Sequence, residues 1–172
     1  TPVISSAASD VYKRQALDDQ TVSVDTLDDD VAGFTIEETD GSTEVDESGS
    51  TDIFTVVLDA QPTLDVVLTI TSESATEASV NPSSITFTSE NWDTPQTVTV
   101  TGVDENVVDG DQTTNITIAI LDTASDDNFD DLADQTVSVD TLDDDVAGFT
   151  IEETDAATEV DESGSTDIFT VV

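Results

Sequence analysis

Apolar and polar side chains alternate one by one along most of this chain. Phe54, Val56 and Leu58 fall on one side of a run, and Leu64, Val66, Leu68 and Ile70 fall on one side of the next. Ile85 with Phe87, Val98 with Val100, Ile116 with Ile118 and Ile120, and Val137 with Val139 repeat the pattern. A period of two predicts half-buried strands. Thr and Ser fill the outward positions, where a β-branched side chain suits the pleat. Turn residues separate the runs: Asp59-Ala60-Gln61-Pro62, Asn81-Pro82, Asp93-Thr94-Pro95 and Asp109-Gly110-Asp111. No stretch has helical spacing. About seven such strands predict an all-β fold, an antiparallel β-sandwich of two sheets. Gly33-Phe34-Thr35-Ile36 would open it, with Phe34 in the core.

The chain also repeats itself. Residues 19–57 and 134–172 agree at every position except Gly41/Ala156 and Ser42/Ala157, which sets a period of 115 residues. That length suits one domain per repeat, not a solenoid coil. Residues 16–30 therefore read as the last strand of a preceding repeat, 31–145 as one complete β-sandwich, and 146–172 as the opening strands of the next. Neither end piece can bury its apolar face alone, so both are expected to fray or to pair opportunistically.

Residues 1–15 read differently. Ser5 to Gln15 match, residue for residue, one frame of the adaptor used in transposase-based sequencing libraries. A secretory signal would instead need basic residues ahead of an apolar run of roughly 7–15, which is absent. They are read as adaptor-derived, not native.

Setting them aside sharpens the charge. Lys13, Arg14 and Tyr12 are the only Lys, Arg and Tyr, so 40 of the 41 acidic side chains lie in a segment without a basic partner. His, Cys and Met are absent too. Such a chain is excluded from direct contact with nucleic acid or anionic membrane surfaces. No apolar run approaches the roughly 20 residues of a membrane helix. High charge with few aromatics can signal disorder, but the regular alternation of Val, Ile, Leu and Phe argues against it. Without His, Cys, Lys or Arg there is no base poised near neutral pH, no thiol and no cation for an oxyanion. The chain is therefore not expected to be an enzyme.

The acid is unevenly placed. Its densest groups fall in loops: Asp104-Glu105 with Asp109 and Asp111, Asp126-Asp127 with Asp130-Asp131, and Asp143-Asp144-Asp145. The last group recurs as Asp28-Asp29-Asp30. Adjacent carboxylates repel, so clustering them costs stability unless a cation sits between them. Ca²⁺ takes 6–8 oxygen ligands in flexible geometry, and oxygens are the only donors available. The bland alternative is a solvated acidic loop, which is the reading given to Asp126–Asp131. Trp92 reads as packing at a turn, not a sugar platform. Asn115-Ile116-Thr117 fits a glycosylation sequon but reads as a strand triplet.

Asp104 to Asp111, followed by a Thr/Ile strand and then Leu142 to Asp145, resembles the Calx-β domain. Val45-Asp46-Glu47-Ser48-Gly49 resembles the same family's acidic segment before its second strand. The likeness spans 31–145 and implies an immunoglobulin-like sandwich with calcium at one end. Carried over by position, it implies Glu47, Asp104, Glu105, Asp109, Asp143, Asp144 and Asp145 as metal ligands. Glu77 is a looser match, because the family's Asp-Tyr pair is missing from that loop. The run from Pro82 through Trp92 to Val103 resembles the large tandem-repeat surface proteins of bacteria. The implied role is a calcium-binding structural repeat of a secreted or cell-surface stalk or adhesin. Its partners would be calcium ions, neighbouring repeats of the same chain, and cell-surface or matrix ligands. Two alternatives stay open: a ligand- or carbohydrate-binding sandwich module, and a halophilic surface-layer repeat whose acid serves hydration alone.

Overall fold

Alternation becomes nine strands that close into two facing sheets. The computed structural model describes residues 21–154 and 156–172; the adaptor-like residues 1–15 and residues 16–20 lie outside them. The strands are β1 (Phe34–Glu38), β2 (Thr43–Asp46), β3 (Thr51–Leu58), β4 (Val66–Ser72), β5 (Ala78–Asn81), β6 (Ser84–Phe87), β7 (Gln96–Gly102), β8 (Gln112–Ile120) and β9 (Gln135–Leu142). One sheet has the order β1-β3-β7-β5, and the other β2-β9-β8-β4-β6. The fold is all-β, as the period of two predicts. All pairs in the sandwich are antiparallel except β2–β9, where Thr43 faces Val139 and Asp46 faces Leu142 in parallel. The chain leaves β1 in one sheet and runs on into β2 in the other, stitching the start of the sandwich to its end.

The core lies between the sheets. Phe54, Phe87, Leu68, Ile70, Ile116 and Ile118 are fully buried, with Val98, Val100 and Val139 beside them. Each such side chain contributes about 1.5–3 kcal/mol by leaving water. Phe34 joins this core, and Trp92 is half-buried against it while its carbonyl accepts the Leu58 N–H at 3.1 Å.

Two expectations are corrected. Leu64 does not extend the β4 face; it is 66 % exposed, and its N–H donates to Asp126 Oδ2 at 2.9 Å. Asp126 is in turn not a solvated acid. It is buried, and its carboxylate accepts from Thr63 N–H (2.7 Å), Thr63 Oγ1 (2.6 Å), Leu64 N–H, Asn128 N–H (3.0 Å) and Asn128 Nδ2 (2.8 Å). Phe129, from the same loop, is buried in the core. The loop folds inward because one carboxylate answers donors that would otherwise be stranded.

Strand direction sorts the loops into two poles. At one pole lie the turn 47–50, the loops 73–77 and 103–111, and the run 143–145; at the other lie 59–65, 88–95 and 121–134.

The flanking pieces behave unequally. Residues 21–33 form no strand, and Val22 and Val24 are 86 % and 78 % exposed, whereas their repeat counterparts Val137 and Val139 are buried in β9. In β9 those residues have β8 and β2 as neighbours. Residues 146–154 and 156–172 instead include a two-stranded sheet, β10 (Ile151–Glu153) and β11 (Phe169–Val171). Ile151 faces Val171 there, which is the Ile36–Val56 pairing of β1 and β3 moved by one repeat. Local bonds recur as well: Thr154 Oγ1 donates to the Ile168 carbonyl at 2.9 Å, as Thr39 Oγ1 does to Ile53 at 2.8 Å.

Candidate metal centre

Four chain segments converge at the first pole, and two glycines allow the approach. Gly102 ends β7 against the end of β2. A Cβ there would sit 2.0 Å from the Asp46 carbonyl oxygen, so no other residue fits without moving backbone. Gly110 has φ of +79°, the left-handed region where L side chains are strained. Its N–H points at the terminal acidic run and donates to Asp143 Oδ2 at 2.7 Å. Asp143 N–H answers by donating to Asp111 Oδ1 at 3.2 Å, and Asp145 N–H donates to Asp143 Oδ1 at 2.8 Å.

Glu47 sits at the centre. Its N–H donates to the Leu142 carbonyl at 3.1 Å, continuing the β2–β9 ladder by one residue. Asp46 beside it is held below the usual carboxylate range by the Ser48 hydroxyl first and then by Ser50. The Glu47 side chain turns inward and is 1 % exposed, yet its Oε2 has no hydrogen-bond partner. A buried carboxylate oxygen without a donor is costly, and no Lys, Arg or His stands among the described residues to relieve it.

Carboxylate oxygens gather around it in two groups. Those of Glu47, Asp143 and Asp145 lie within 4.8 Å of one another, and so do those of Glu47, Glu105 and Asp109. Burial raises Glu47 above its ordinary value, and the charges of Asp143, Glu105, Asp109 and Asp145 push it further. Glu105 and Asp145 are raised for the same two reasons, in the same order. Asp145 Oδ2 is a second buried oxygen without a partner.

Of the eight residues expected from sequence, Glu47, Glu105, Asp109, Asp143 and Asp145 are brought together in these groups. Glu77, Asp104 and Asp144 fall outside both but stay close enough to act by charge, Glu77 on Glu105 and the other two on Asp145. Glu77 also carries a buried oxygen without a partner, Oε2. The donor set is oxygen only, multiply anionic and loop-borne. It fits a hard divalent cation of calcium's kind, and offers nothing to a metal that prefers nitrogen or sulfur. Sequence reasoning did not anticipate the groove at the opposite pole, of about 470 Å³ and walled in part by Ala60, Pro62, Phe129 and Leu132.

No protein-family model and no curated protein sequence matches the chain. Among solved structures, it is similar to the E. coli chaperone DraB with a TM-score of 0.48 and 10 % identity, over 69 % of this chain and 59 % of that one. It is similar to the apo-form Calx CBD1 domain with a TM-score of 0.42 and 14 % identity, over 65 % and 98 % respectively. For domains 1–6 of the surface layer protein SbsC the TM-score is 0.47 and the identity 22 %, over 87 % of this chain and 19 % of that one. The chain thus spans about three fifths of the DraB chaperone and about a fifth of the SbsC domains.

Proposed function

We propose that this chain is a calcium-binding structural repeat of an extracellular bacterial stalk or adhesin, a spacer and interaction scaffold without catalytic activity. The observation that carries the calcium reading is Glu47: a buried glutamate with one oxygen that has no donor, whose carboxylate groups with four others and with no cationic side chain. A divalent ion would replace their mutual repulsion with coordination. Glu47, Asp143 and Asp145 would hold it from one side, and Glu105 and Asp109 from the other. The internal repeat and the resemblance of the acidic loops to Calx-β support the stalk reading. So do an acidic charge that repels nucleic acid and anionic membranes, and the absence, among the described residues, of any helix long and apolar enough to cross a membrane. The lack of His and Cys argues against catalysis.

The test is thermal melting at fixed ionic strength. An ion that binds only the folded state stabilises it by about 2.7 kcal/mol at a hundredfold excess over Kd. The midpoint is expected to rise by several degrees in millimolar calcium relative to chelator. An unchanged midpoint would favour the halophilic reading, in which the acid only holds water.

A further inference from the structure

The calcium reading leaves two features unused, one at each pole. Val107 and Val108 are each 55 % exposed at the tip of the 103–111 loop, between Glu105 and Asp109. The groove at the opposite pole has a mixed lining, in which Ala60, Pro62, Phe129 and Leu132 supply an apolar wall beside Asp28, Asp30 and Asp131.

The internal repeat relates these features. Asp28–Asp30 are the counterparts of Asp143–Asp145, and they turn in the same way. Asp30 N–H donates to Asp28 Oδ1 at 3.1 Å, as Asp145 N–H does to Asp143 Oδ1. Gly110 and Asp111 both bond to Asp143. Moved back one repeat, the same bonds bring the preceding repeat's 103–111 loop to Asp28, at the rim of the groove. Its two valines are two and three residues from that contact, about 7–10 Å of extended chain.

We propose that the Val107-Val108 tip of each repeat docks into the groove at the foot of the next, against Pro62, Phe129 and Leu132. The occupant is thus a neighbouring copy of this repeat, and the junction between domains is a specific apolar contact. Glu105 and Asp109 flank the tip, while Asp28, Asp30 and Asp131 line the groove, so docking brings like charges together. In this respect the inference rests on the calcium reading: an ion held by Glu105 and Asp109 offsets that repulsion and fixes the direction of the tip.

The chain has no cysteine, so a cross-link can be read without ambiguity. Extending it with a second copy of residues 58–145 gives two consecutive complete repeats. Val108→Cys in the first repeat and Leu132→Cys in the second are expected to form a disulfide in most molecules under mild oxidation in millimolar calcium. Val108→Cys paired with Asn115→Cys on the flank of the second repeat is expected to give none. In the same two-repeat chain without cysteines, Val107→Asp with Val108→Asp is expected to let the two domains reorient. Residual dipolar couplings would then report two alignment tensors where the parent reports one. Absence of the disulfide, or equal cross-linking of both pairs, overturns the docking even if calorimetry shows calcium bound. A specific disulfide with no calcium binding by calorimetry upholds the docking and removes the calcium reading instead.

Discussion

Glu47 and Asp126 are both buried carboxylates with opposite fates. Asp126 is met by five donors, chiefly Thr63, and is held far below the ordinary carboxylate range. Glu47 has one oxygen with no donor and is raised. Glu47→Gln is expected to weaken calcium binding by about tenfold or more, or 1.4 kcal/mol. Stability in chelator should hold or improve, because a buried charge is removed; calorimetry and melting separate the two effects. Asp126→Ala strands the Thr63 and Leu64 N–H groups and is expected to cost about 1–3 kcal/mol in denaturant unfolding, with calcium affinity unchanged. The pH response follows from the same contrast. A raised carboxylate destabilises the fold while ionised, so in chelator the melting midpoint should rise as pH is lowered towards the unfolded-chain carboxylate value of about 4 and Glu47, Glu105 and Asp145 take up protons. A depressed carboxylate stabilises the fold above its unfolded pKa, so below about pH 4 the Asp126 contribution should be lost and the midpoint should drop. A midpoint that falls monotonically from pH 7 would contradict this account. The family resemblance singles out Glu47 as a ligand, and Asp126 reads as solvated, but neither fate is legible in composition or spacing, because only the fold decides which donors each carboxylate meets.

Individual strands were legible to the extent that they alternate. Phe54-Val56-Leu58 and Val98-Val100 announce their buried faces because every second residue is apolar and no other arrangement hides them. β2 does not announce itself: Val45 is the one apolar residue in four, and nothing local signals that it pairs in parallel with a strand about a hundred residues away. Phe129 was obscured by the aspartates around it, in a loop with no period to read. The acidic loops, by contrast, stood out by composition, though which of them meet depends on strand order. The close contact between Gly102 and Asp46 sets how near two of these segments come to each other. Gly102→Ala is expected to force β7 away from β2, lowering stability by about 1–3 kcal/mol. It should also weaken calcium binding, because Glu47 and Glu105 are carried by the two segments driven apart. Heteronuclear NMR shifts concentrated at 46–50 and 101–105 would confirm a local cause.

Across the whole molecule, the parallel β2–β9 pair sets the response to force. The chain enters β1 at one pole and leaves β9 at the other, and the stretch carrying β1 and β2 is hydrogen-bonded to β9 along its second half. Tension applied through the two ends pulls β2 and β9 in opposite directions along their common axis. The ladder is then loaded in shear, and its bonds must fail together instead of peeling one after another. Forced unfolding is governed by the unfolding barrier, so this arrangement resists load beyond what equilibrium stability alone would suggest. Single-molecule pulling through the flanks of 31–145 is expected to need a markedly higher force than pulling through Gly49 and Asp143. Those two residues share a pole, and tension between them would unzip the same ladder from one end. Equal forces in the two geometries would show that β2–β9 is not the clamp. A domain hung between anchor and cargo would then bear its load along the one seam that joins its first strands to its last.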